Sequence, residues 1–230
     1  NNPNPFTFKG TNTYLVGTDE LCVIDPGPGL PEHIDAIVKA AAGKPIKHIL
    51  LTHTHHDHFE GLPALQQRTG AKTAGYGYEA KGKPSGAEAA SPNASRPLGE
   101  VVRTSFHPDI VLRDGGTLTG NGYAFEALHT PGHAPDHLCF ALGGTRILFS
   151  GDHVMSWNTS VVAPPEGSMA HYMRSLEKLV DRTDEIFLPG HGGTLRSPQK
   201  VVRAFMVHRK MREAAILQAV RDGHTTIPRI

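Results

Sequence analysis

Two cysteines in 230 residues are too few for a disulfide framework, which points to a reducing compartment. Cys22 and Cys139 each sit in a short apolar run, where a free thiol packs as a small hydrophobe. No apolar stretch approaches the roughly 18 residues of a membrane helix, so no membrane partner is expected. No charged-then-apolar leader opens the chain, and cytoplasm is the expected location. A surplus of either charge is missing too. The 23 Lys and Arg against 22 Asp and Glu exclude a uniformly basic nucleic-acid coat and an acidic solvating tail. With 38% hydrophobic residues the chain has enough apolar side chain for a packed core, which excludes disorder.

What the chain has in quantity is histidine, 15 residues of it, the commonest metal ligand. The densest cluster is Thr52-His53-Thr54-His55-His56-Asp57-His58, directly after the apolar run that begins at Ile46. In such a loop, residues two apart converge on one centre while the next pair turns toward a second. Imidazole and carboxylate without thiolate suit zinc and the harder transition metals. Three more segments share one form, a strand ending in a glycine turn that presents a ligand-type residue. They are Thr130-Pro131-Gly132-His133, Ser150-Gly151-Asp152 and Pro189-Gly190-His191-Gly192.

The period of the apolar residues places strands near 13–16, 21–25, 46–52, 110–112, 117–119, 123–128, 138–142, 146–150 and 185–188. Helices are expected near 31–42, 61–69, 169–179 and 198–220. Residues 79–98, rich in Gly, Ala, Ser and Pro, are expected to form a long surface loop. Residues 196–230 carry eight basic and two acidic side chains, whereas 1–195 carry 15 basic and 20 acidic. The expected organisation is a main domain over 1–195, then a basic C-terminal helix that opens the segment 196–230.

The His-x-His-x-Asp-His loop followed by distant His, Asp and His resembles the metallo-β-lactamase superfamily over essentially all of 1–195. The resemblance implies an α/β fold, a four-layer αββα sandwich with a dinuclear metal site at one edge. It implies that His53, His55 and His133 hold one metal, that Asp57, His58 and His191 hold the other, and that Asp152 bridges them. Two zinc ions are the expected cofactors, with manganese or iron fitting the same ligands. Gly10-Thr11-Asn12-Thr13-Tyr14-Leu15, Tyr172-Met173-x-Ser175-Leu176 and His208-Arg209-x-x-Arg212-Glu213 look most like the branch typified by β-lactamase-like protein 2, an endoribonuclease group. The resemblance implies that 1–195 is the catalytic domain and that 196–230 hold the basic C-terminal helix and the start of a small winged-helix-like domain.

That resemblance implies a hydrolase in which a metal-bridging hydroxide attacks a phosphodiester or acyl centre, with Asp57 and Asp152 as the catalytic carboxylates. Single-stranded RNA is the first expected substrate, supported by the basic C-terminal segment. A β-lactam or a thioester, as in glyoxalase II-like members, is the alternative. A metal-stabilised RNA- or protein-binding module without turnover is the reading from another class. Tyr172 and His171 are the candidate general acids, and the oligomeric state is left open. His129 and His137 are expected to support the ligands or to pack. His56 and His153 are expected to face outward, and Trp157 to belong to the core.

Overall fold

The computed structural model describes residues 2–79, 105–224 and 226. Most of the expected 79–98 loop lies outside these. The first sheet holds β1 (Tyr14–Val16), β2 (Leu21–Ile24), β3 (Ile46–Leu50), β4 (Lys72–Gly75) and β5 (Ile110–Val111), in that order. The second runs β11 (Leu195–Arg196), β10 (Ile186–Pro189), β9 (Ile147–Gly151), β8 (Leu138–Leu142), β7 (Tyr123–His129) and β6 (Thr117–Gly120). Five helices complete the described residues: α1 (Pro31–Ala40), α2 (His56–Phe59), α3 (Leu62–Thr69), α4 (Met169–Val180) and α5 (Pro198–Arg221).

Side-chain alternation turns these elements into four layers. Along β2, Leu21 and Val23 face outward to Ile34 and Ile37 of α1 and Leu62 and Leu65 of α3. Cys22 and Ile24 face inward, where they meet Phe125, Leu138, Phe140 and Phe149 of the second sheet. Along β8, Leu138 and Phe140 fill that central layer, while Cys139 and Ala141 face Tyr172, Leu176 and Leu179 of α4 and Val202 of α5. The expected four-layer α/β sandwich is therefore present. Among the described residues, α5 joins the body through Val202, the partly buried Val201, Phe205 and Met206, and Arg209, which donates to the Ser160 carbonyl. Farther along, Met211 is 67% exposed.

Two strands and a helix escaped the sequence pattern. β4 reads Lys-Thr-Ala-Gly, a poor strand former, and exists because parallel neighbours β3 and β5 pair with both its edges. β11 is only two residues long. The end of the histidine cluster is helical rather than a simple loop, since His56–Phe59 form α2.

The strand directions gather the glycine turns. β8 is antiparallel to both β7 and β9, and β10 is parallel to β9, so β7, β9 and β10 all end at one edge. The first sheet joins that edge where the Leu138 N–H donates to the Thr52 carbonyl at 2.8 Å.

Candidate metal centre

The structure brings His53, His55, Asp57, His58, His133, Asp152 and His191 together at this edge. Donor atoms within 4.8 Å of one another form three groups: His53, His55 and His133; Asp57, His58 and His191; and His53, His58 and Asp152. Asp152 lies between the first two. Its Oδ2 is 3.6 Å from His133 Nε2 and 3.3 Å from His191 Nε2, and its Oδ1 is 3.4 Å from His58 Nε2.

The hydrogen bonds made by the opposite ring nitrogens orient these imidazoles. His58 Nδ1 donates to Asp25 Oδ2 at 2.8 Å, His133 Nδ1 to the Val161 carbonyl at 2.6 Å, and His191 Nδ1 to the Gly10 carbonyl at 3.2 Å. Thr52 Oγ1 donates to Asp25 Oδ2 at 2.7 Å and so accepts from His53 Nδ1 at 3.0 Å. All four rings therefore aim Nε2 into the cluster. The Nε2 atoms of His58 and His191 are 3.3 Å apart, and His133 Nε2 is 2.9 Å from His55 Nδ1. His53 Nε2 and Asp152 Oδ1 are buried without a hydrogen-bond partner. Buried acceptors that converge in this way need a cation among them, and the residues fit a metal pair.

The electrostatics agree. Burial opposes a charge on His58, but Asp57, Asp152 and Asp25 hold it well above the ordinary imidazole value. Burial is likewise overcome at His191, which Asp152 and Asp57 raise to about 9. Burial also opposes charge on Asp57 and Asp152, yet the neighbouring imidazoles keep both carboxyls well below the usual range. Protons thus supply part of the positive charge that two metals would bring. His53 and His133 are held low, chiefly by burial.

Several supporting residues carry no motif of their own. Asp25 is 2% exposed and adopts a left-handed φ of 49°. It accepts from the Thr52 N–H, the Thr52 hydroxyl and His58. The signal available in the sequence was a carboxylate at the end of the apolar run Leu21-Cys22-Val23-Ile24. Asp136 accepts from the Thr54 N–H at 3.0 Å, and Thr11 Oγ1 donates to Asp57 Oδ2 at 3.1 Å. Asn12 pins this N-terminal segment to the carbonyls of Pro189 and Gly192, both at 2.9 Å.

Glycines permit the close approach. A Cβ on Gly190 would stand 2.4 Å from Asp152 Oδ1, and one on Gly151 would stand 2.6 Å from His137 Nε2. That His137 nitrogen accepts from the Asp152 N–H at 3.1 Å, so the imidazole fixes the backbone of the central carboxylate.

Other expectations need correction. His153 does not face outward: it is fully buried, its ring 4.6 Å from that of Tyr172. Burial pulls its pKa down to about 3. Tyr172 is fully buried as well, and its hydroxyl donates to the His153 carbonyl, so it is no general acid. His171 lines a separate depression without any of the seven cluster residues. Trp157 is only half-buried, stacked on Phe8 at 5.2 Å beside Gly192 rather than set in the core. His56 does point away, its ring exposed and 3.5 Å from Glu60. His129 bonds the Pro135 carbonyl and, among the described residues, joins none of the three donor groups.

A family pattern described as the metallo-beta-lactamase superfamily matches residues 6–191. The chain belongs to this superfamily. An atrochrysone carboxyl ACP thioesterase of Aspergillus chevalieri is 33% identical over 225 residues, covering 96% of this chain and 64% of the relative. A beta-lactamase-like protein 2 homolog of Caenorhabditis elegans is 31% identical over 225 residues, covering 96% of this chain and 69% of the relative. The chain therefore spans about two thirds of the length of these metallo-β-lactamase relatives. Among solved structures, a metallo-beta-lactamase family protein from Thermus thermophilus superposes with a TM-score of 0.70 at 25% identity, covering 90% of this chain and 77% of that one. The chain accordingly carries the metallo-β-lactamase fold with candidate metal ligands at the sheet edge. Among the described residues, no helix is long and apolar enough to cross a membrane.

Proposed function

We propose that the protein is a dinuclear zinc-dependent thioester hydrolase. The observation that carries the metal assignment is the convergence of two histidine-containing triads on Asp152. His53, His55 and His133 would hold one ion, Asp57, His58 and His191 the second, and Asp152 would serve both. When bound, such a pair supplies a nucleophile at neutral pH and stabilises charge developing on the attacked carbonyl oxygen.

The protein's own groups do the rest. Asp57 is the more accessible of the two carboxylates, 28% exposed against 8% for Asp152. Its Oδ2 is fixed by the Thr11 hydroxyl and lies 3.1 Å from His191 Nε2, so Oδ1 is the oxygen that would orient water and take its proton. Asp152, held through its backbone by His137, sets the spacing of the two triads.

The thioester choice rests on similarity to the Aspergillus chevalieri thioesterase across nearly the whole chain. RNA phosphodiester cleavage is the second reading, favoured by the similarity to a beta-lactamase-like protein 2 homolog and by the exposed basic residues of α5. Zinc-loaded protein should hydrolyse an acyl thioester faster than a fluorescent single-stranded RNA, and both activities should vanish on chelation. RNA cleavage without thioester turnover would reverse the order of the two readings.

A further inference from the structure

A depression of about 320 Å³ opens behind the His133 loop, lined by His129, Pro131, His171, Arg174, Ser175 and Lys178. Residues 171, 174, 175 and 178 form one face of α4 by helical spacing. The opposite wall is the end of β7 and the turn that leads to His133.

The depression is firmly built. Ser175 Oγ donates to the Pro131 carbonyl at 2.7 Å, which ties α4 to the turn. The His129 ring stacks on Tyr76 at 4.3 Å, and its Nε2 donates to the Pro135 carbonyl at 2.9 Å. Lys178 is held by Asp114 and by the His129 carbonyl. Among the described residues, Asp114 is the only acidic side chain that pairs with a lining group. Arg174 is thus an uncompensated guanidinium, and Lys178 retains one of its three donors.

The metal centre is close by. The Ser168 N–H donates to the Gly132 carbonyl at 2.8 Å, and a Cβ on Gly132 would stand 2.4 Å from Tyr172 Cα. The first turn of α4 therefore presses on the residue next to His133. His129 and His133 are four residues apart, so their Cα atoms are separated by at most about 14 Å.

We propose that this depression binds the phosphate carried by the leaving thiol of a thioester substrate, such as a phosphopantetheine arm. The assignment rests on the thioester reading above. The Arg174 fork would pair with the two non-bridging phosphate oxygens, with the His171 imidazole and the spare Lys178 donor completing their hydrogen bonds. A nucleic-acid backbone calls for cations repeated along a groove, whereas here they converge in one concave spot, which suits a single isolated phosphate group.

Arg174→Ala and His171→Ala lie outside the metal machinery and test the site. For a coenzyme A thioester, each should raise KM by about tenfold at unchanged kcat, the effect of losing one charge-assisted hydrogen bond. For an N-acetylcysteamine thioester of the same acyl group, neither constant should move. Equal KM values for the coenzyme A thioester in wild type and variants overturn the proposal.

Calorimetry with pantetheine 4′-phosphate and pantetheine separates this idea from the catalytic reading. Tighter binding of the phosphate form, lost in Arg174→Ala, supports the anion site even if no thioester is hydrolysed, and in that case the thioester reading fails. Thioester turnover with equal binding of the two compounds keeps that reading and removes the site. A single-stranded oligonucleotide that binds through Arg174 where pantetheine 4′-phosphate does not also overturns the assignment.

Discussion

The Asp25 carboxylate accepts a hydrogen bond from His58 Nδ1 at 2.8 Å, which ties the end of β2 to the most deeply buried imidazole of the cluster. The same carboxylate takes the N–H and hydroxyl of Thr52, the residue that leads into the histidine segment. One side chain thus sets the tautomer of His58 and the direction in which the ligand segment leaves the sheet.

Asp25→Asn should therefore weaken metal binding while leaving all seven candidate ligands in place. The amide nitrogen would face the His58 Nδ1–H with no acceptor to offer. Loss of such a partner lowers metal affinity by about 10- to 100-fold. Competition against a zinc chelator measures it. Affinity equal to wild type, in a variant with native circular dichroism, would show that Asp25 only supports the fold.

Gly190→Ala probes the close approach of β10 to Asp152. The added methyl would lie 2.4 Å from Asp152 Oδ1 and 2.7 Å from His58 Cε1, so the carboxylate or the loop must move. A displacement near 1 Å at a reacting centre costs on the order of 10²-fold in rate. Hydrolysis should drop by about that much, with the folded-state spectrum retained. Wild-type kcat would show that Asp152 is not held where the reaction requires it.

These two positions also show what the sequence could and could not reveal. The residues that converge at the sheet edge were legible because they rest on local features: the segment His53–His58 after a strand, and glycine turns after three others. The αββα order was legible only through the family resemblance that the histidine motif carries, because the apolar run Leu21-Cys22-Val23-Ile24 marks a strand without saying which layers cover its two faces. Asp25 was not, because its partner is 33 residues away and the Pro26-Gly27 turn masked its burial. His153 was misplaced for a different reason. Gly151, at φ 49°, sits in a tight turn in which the His153 N–H donates to the Ser150 carbonyl, and the His153 ring packs against Tyr172. Tyr172 is buried because α4 turns residues 172, 176 and 179 toward the second sheet, a face that helical spacing alone could not orient.

The metal-free chain should be most stable near pH 6.5. Above that pH the unfolded histidines are neutral, while His58 and His191 still hold protons in the folded state. Their contribution is complete below about 6.5 and is lost as pH rises through the folded value, about 9 for His191. Below about 6.5 the unfolded chain takes up protons that the buried His53, His133, His137 and His153 refuse, so stability falls again toward acid. Thermal melts of chelated protein across pH should trace this maximum. Zinc should remove the alkaline decline, because metal-bound imidazoles carry no proton to lose. A metal-free chain that gains stability from pH 7 to 9 would contradict the assignment of charge to His58 and His191.

The most direct measurement is the number of zinc ions retained per chain after loading and dialysis, for the wild type and His191→Ala. Two ions in the wild type and one in the variant are the expected values, since His191 contributes to only one of the two outer triads. One ion or none at saturation in the wild type, or two ions retained by His191→Ala, would contradict a dinuclear centre built from these residues.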